Sequence, residues 1–135
     1  MQVCEYYKFK DNIIGPIKIT GHLVLIENEL ILVDSSEIDD FKNAKGIKAS
    51  DQSLKYVLRD ALLPLGGDSS IFHKATLFGV IEPIEVPTIQ IQQMKIQERG
   101  STDWLNVNMN NKHIEHCKTK YEPDDGFDFF KEMGD

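Results

Sequence analysis

The chain has 135 residues and a formal net charge of −7 at pH 7, a length that fits one domain able to bury a sizeable core. Its two cysteines, Cys4 and Cys117, supply neither a secreted disulfide framework nor a zinc-binding quartet. No apolar run is long enough to span a bilayer, and residues 1–10 lack the apolar core of a signal peptide, so a cytoplasmic location is expected.

Gln2 to Phe9 predicts a short strand with Val3, Tyr7 and Phe9 on one face. From Pro16, Ile17, Ile19, Gly21, Leu23 and Leu25 alternate with other residues and predict a long strand. Glu27–Glu29 is a turn, and Leu30–Val33 returns as the hairpin partner. Asp34–Ala44 is polar and looped, and Gly46–Ala49 is one more short strand.

Ser50 or Asp51 begins the clearest helix, with Leu54, Val57, Leu58, Ala61 and Leu62 in one apolar stripe and Pro64, Gly66 and Gly67 ending it. Ile71–Ile81 is a second long strand, with Gly79 in its interior. Ile89 and Ile91 alternate until Gln92-Gln93, after which Met94 and Ile96 change parity, which predicts a one-residue bulge. Leu105, Val107 and Met109 alternate before Asn110-Asn111, predicting a β-hairpin over about 103–119.

Strand, strand, short strand, helix, strand, strand is the order of a five-stranded oligonucleotide/oligosaccharide-binding (OB) barrel. Interior glycines such as Gly21 and Gly79 suit its sharp bends. The expectation is one α+β domain over 1–135, mainly antiparallel, with an OB-like barrel or curled sheet at about 16–98. One amphipathic helix, the 103–119 hairpin and an acidic, aromatic segment at 121–135 with a short C-terminal helix complete it.

Charge is unevenly placed. Residues 121–135 hold six acidic side chains against Lys131 alone, which accounts for five of the seven net negative charges. A second acidic knot, Asp34, Glu37, Asp39 and Asp40, precedes Lys42, Lys45 and Lys48. With two arginines in the chain and no basic stripe, nucleic acid is disfavoured as the main ligand, and a basic protein partner is the natural complement. Candidate contacts are the knot, Trp104, and the tail residues Asp124, Asp125, Phe127, Asp128 and Phe129, because aromatic anchors favour hot spots. The tail aromatics either dock on the body, as a short helix capped by Asp124 or Asp125, or are presented to a partner.

No enzyme signature emerges. His22 and His73 lie in strands without a nucleophile elbow, and Gly66–Ser70 lacks the lysine and spacing of a phosphate loop. His113, His116 and Cys117 would share one helical face and meet one zinc. The predicted hairpin separates them instead, so no catalytic residue, metal or cofactor is expected.

The segments "KITGHLVLIENELILVD", "SLKYVLRDALLPLGG" and "HKATLFGVIE" resemble small bacterial toxin-immunity proteins. The likeness covers roughly residues 15–100 and is one of pattern: strand, glycine, strand, loop, helix, double glycine, strand, glycine. It implies a compact barrel-like fold and inhibition of a basic toxin domain, nuclease-like in character. A second resemblance is to single-stranded-DNA-binding proteins, which join such a barrel to an acidic tail ending in phenylalanine. Here "DDGFDFFKEMGD" continues past Phe130, and the predicted strands lack the usual stacking aromatics and cations. The alternatives to immunity are thus an accessory single-stranded nucleic-acid-binding protein and, third, a small metal-dependent enzyme at His113, His116 and Cys117.

Overall fold

The computed structural model describes residues 1–62, 71–97 and 102–121. It is an α+β structure built on a mainly antiparallel six-stranded sheet. In chain order the elements are α1 (Val3–Phe9), β1 (Ile17–Ile26), β2 (Glu29–Val33), β3 (Gly46–Ala49), α2 (Leu54–Leu62), β4 (Phe72–Glu82), β5 (Thr88–Gln97), β6 (Trp104–Asn106) and α3 (Asn111–Tyr121). Short 3-10 segments occupy Lys10–Asn12 and Ser35–Asn43.

The sheet order is β3-β2-β1-β4-β5-β6. β3 also pairs with β5 in parallel, through Lys48↔Thr88 and Ala49↔Ile89. The turn between β1 and β2 puts Glu27 and Asn28 at φ of 52° and 66°. Two consecutive left-handed residues match the twist of a tight hairpin, as the sequence suggests. Inward residues alternate along the strands: Ile19 and Leu23 on β1, Ala75 and Leu77 on β4, Ile89, Met94 and Ile96 on β5. The parity change is the expected bulge, for the register steps from Phe78↔Gln93 to Gly79↔Ile91 and leaves Gln92 over.

α2 forms as its pattern dictates. The Asp51 carboxylate accepts from the Ser53 amide at 3.0 Å, and Leu54, Val57 and Leu58 turn into the core beside Leu30, Leu32 and Ile47. The end of that stripe falls on Leu62, whose side chain lies outside the described residues, as do Pro64, Gly66 and Gly67.

Two elements differ from expectation. Val3–Phe9 is a helix: the Gln2 amide donates to Glu5 Oε1 at 2.8 Å, and Val3 and Tyr6, three apart, are both 1% exposed. A period of two and a period of three or four are hard to tell apart over seven residues, and docking over Gly21 decided the matter.

The 103–119 hairpin is absent as well. β6 pairs back with β5 (Gln97↔Trp104), and Asn111–Tyr121 is helical. Asn110 caps α3 by accepting from the Lys112 amide at 2.9 Å, while Ile114, Cys117 and Tyr121 face inward. Asparagine suits a turn and a helix cap alike, and a helix lets three apolar side chains bury together on α2. The predicted C-terminal helix lies outside the described residues.

The Tyr6 hydroxyl is buried with no hydrogen-bond partner among the described residues. A buried hydroxyl without a partner is desolvated without return. Tyr6→Phe is therefore expected to stabilise the fold by about 1 kcal/mol, read as a higher urea midpoint at unchanged slope. A loss of stability would show that the hydroxyl has found a partner. Among the described residues, no helix is long and apolar enough to cross a membrane.

Candidate functional site

The acidic knot splits in two. Asp34 is 1% exposed and is committed to the fold. Its carboxylate accepts from the Cys4 amide of α1 at 2.9 Å, from the Ser36 amide at 3.0 Å and from the Ser36 hydroxyl. Burial, the largest single influence, opposes its charge. The Ser36 and Cys4 hydrogen bonds outweigh it, so its carboxyl lies below the usual aspartate range. Asp34 thus clamps α1, the end of β2 and the 3-10 segment together and, unlike the expected contact, is buried away from the surface.

Glu37, Asp39 and Asp40 remain outside, all exposed. The segment carrying them is kinked at Glu37 and Asp40 and is fastened at both ends. At its start, His22 Nδ1 lies 2.8 Å from Ser35 Oγ. Burial and Lys74 hold the His22 pKa below its ordinary value, which favours the neutral ring in that contact. At its far end, Asn43 donates to Asp40 Oδ1 at 2.9 Å, and the Phe41 ring sits edge-on against Phe72.

Two of the three nearby lysines are drawn elsewhere, while Lys42 lies in the segment itself. Lys48 pairs with Glu29 at 3.0 Å, and Lys45 lies over the Tyr7 ring. Neither ion pair among the described residues, Lys48–Glu29 or Lys120–Asp60, neutralises Glu37, Asp39 or Asp40.

A groove of about 560 Å³ lies on the outer face of β1, β4 and β5, walled at one end by β6. Lys18, Thr20, Phe78, Gln93, Lys95 and Trp104 line it. Trp104 is the sole tryptophan of the chain and is 42% exposed. Trp104 was expected to serve as an anchor. Its setting was missed, because Lys18 comes from β1 while Phe78 and Lys95 come from β4 and β5, much later in the chain. The outward parity of those three residues was the available signal.

His113, His116 and Cys117 do lie on a helix, but they do not converge. His116 is exposed, whereas Cys117 is 0% exposed and its Sγ lies 3.5 Å from His113 Nε2. The third member of the group is Asp60, from α2: one ligand atom each of Asp60, His113 and Cys117 lie within 4.8 Å of one another. Asp60 Oδ1 accepts from the Tyr121 hydroxyl at 2.8 Å and from Lys120 at 3.2 Å. The Tyr121 bond first, then Lys120, pull its carboxyl below the ordinary range against some burial. Burial pushes the Cys117 thiol up, helped by the Asp60 charge. A fully buried thiol held protonated is a poor nucleophile.

His73, the other strand histidine, is 8% exposed and accepts from the Phe72 amide at 3.1 Å through Nδ1. The tail candidates Asp124, Asp125, Phe127, Asp128 and Phe129 lie outside the described residues. Comparison with known protein families, curated proteins and solved structures finds no match to this chain.

Proposed function

We propose that this chain is a cytoplasmic, non-enzymatic binding module that recognises and inhibits a basic protein domain, in the manner of a toxin-immunity protein. The observation that carries the reading is the exposed Glu37, Asp39 and Asp40 knuckle, uncompensated by an ion pair among the described residues and mounted on a fastened segment. A fixed, unneutralised cluster attracts a cationic surface at range and needs little ordering on contact. An OB-like barrel is the scaffold proposed for it. Support for that comes from the circuit of pairings β3-β2-β1-β4-β5-β3 and from α2 lying between β3 and β4.

The test starts from the neighbouring reading frames: an immunity function predicts a large secreted protein with a basic C-terminal domain beside this chain, and that domain is the binding partner used. Co-expression is expected to protect the host, and the purified pair to associate rapidly at low salt. Asp39→Lys with Asp40→Lys is expected to slow association by about tenfold and to flatten its salt dependence, leaving dissociation nearly unchanged. An unchanged association rate would remove the knuckle from the mechanism.

One observation favours the single-stranded nucleic-acid reading: the groove sets Trp104 and Phe78 beside Lys18 and Lys95, the pairing of stacking platform and cation that such ligands need. Trp104 fluorescence separates the two readings. The protein-binding function predicts a flat titration with a single-stranded oligonucleotide at physiological salt. Saturable quenching there would overturn it in favour of the alternative.

A further inference from the structure

We propose that Asp60, His113 and Cys117 form a site for one zinc-class divalent ion, bridging α2 and α3. The three side chains offer one carboxylate, one imidazole and one thiol, a mixed oxygen, nitrogen and sulfur set suited to zinc. Zinc–sulfur and zinc–nitrogen bonds of about 2.3 and 2.0–2.1 Å, set at a tetrahedral angle, place the two ligand atoms about 3.5 Å apart. Cys117 Sγ and His113 Nε2 already stand 3.5 Å apart, four residues along one helix. Asp60 approaches from the facing helix, with its ligand atom no more than 4.8 Å from the others, so a closure of about an ångström completes three ligands.

Charge and surroundings agree with this assignment. The Asp60 carboxylate and the Cys117 thiolate together match a dication, and the thiol proton leaves to solvent as the ion binds, one per site. Tyr121 orients Asp60 through its hydroxyl, as outer-sphere partners of metal ligands do. Lys120 competes for the same oxygen, but its side chain is 50% exposed and free to swing into water. Asp60 and His113 are half-buried, leaving the fourth position on the solvent side for water. The site would act as a clamp, since α3 reaches the core through little besides Ile114, Cys117 and Tyr121.

The site is independent of the binding function proposed above and is tested separately. The full chain, stripped with a chelator and kept reduced, is titrated with Co²⁺ and then with Zn²⁺. One ion per chain is expected, with a thiolate-to-cobalt charge-transfer band that zinc displaces, and a higher melting temperature in the loaded protein. Cys117→Ala is expected to abolish the band. Asp60→Asn, half-exposed and close in shape, is expected to weaken zinc by more than about 100-fold, and Tyr121→Phe by about 10- to 100-fold. His116→Ala is expected to change nothing. Should Cys117→Ala fail to fold, Asp60→Asn carries the test. Absence of the band in the unaltered chain, or zinc affinity unmoved by Asp60→Asn, overturns the proposal.

Discussion

Asp34→Ala is expected to lower the unfolding free energy by about 3 kcal/mol, the largest loss from any single carboxylate among the described residues. The magnitude follows from what the substitution strands. The Cys4 and Ser36 amides both donate to this carboxylate in a setting where Asp34 is 1% exposed, and water has little room to replace it. Charge-assisted bonds of this kind contribute about 1.5–3 kcal/mol each, and a buried donor left unpaired costs about 1–3 kcal/mol. Since three elements meet at this side chain, the loss should spread. Hydrogen exchange is expected to accelerate both in α1 and in the Ser35–Asn43 segment, while β4 and β5 keep their protection.

The same residue sets an acid limit. Its carboxyl is lowered in the folded protein relative to an unfolded aspartate, whose pKa is about 3.9. A lowered acid binds its proton more readily when the chain is unfolded. Its contribution is therefore complete by about pH 5, begins to fade as pH falls through the unfolded value, and is lost as pH falls through the lower folded value. The stability gap between the unaltered protein and Asp34→Ala should be constant from pH 5 to 7 and narrow below about pH 4. A gap that stays constant down to pH 2 would mean that the carboxylate's charge contributes nothing there.

Gly79→Ala is expected to cost about 1–3 kcal/mol, although it adds one methyl group to a strand. A β-carbon at this position would collide with the Gln90 carbonyl oxygen and come within 3.0 Å of the Gln90 carbonyl carbon and 3.1 Å of Ile91 Cα. All three atoms are backbone, so no rotamer change relieves the clash. Gly79 also sits where the β4–β5 register steps over Gln92, and moving the strands apart there disturbs the facing of Met94 and Ile96. Urea unfolding should show a lower midpoint with an unchanged slope. A change under 0.5 kcal/mol would mean that the strands part easily at the bulge, against the packing described here.

Much of this architecture was legible from local pattern. Alternation placed β1 and β5, the Glu27–Glu29 turn placed β2 as a hairpin partner, and the long strand expected over Ile71–Ile81 is β4. The i, i+3, i+4 stripe placed α2, and the parity change at Gln92-Gln93 located the bulge. These signals are strong because each element buries one face, and burial of a face imposes the period of its backbone on the sequence. Short elements with mixed periods were misread. Val3–Phe9 and Asn111–Tyr121 are helices because Gly21 and α2 offer them surfaces to bury Val3, Ile114 and Cys117 against.

Sequence alone determined that charge is uneven in this protein, that it folds around alternating strands, and that His113 and Cys117 meet only if their segment is helical. Tertiary structure decided which acidic residues face outward. Asp34 and Asp39 are five positions apart in one acidic run, yet one is consumed by amides from α1 and the 3-10 turn while the other is left in water. It also decided that the partner of His113 and Cys117 is Asp60, more than fifty residues earlier in the chain, and not the adjacent His116. Which member of a short polar run is buried, and which distant side chain approaches it, are set by which elements pack together, and the spacing within the run carries no record of either.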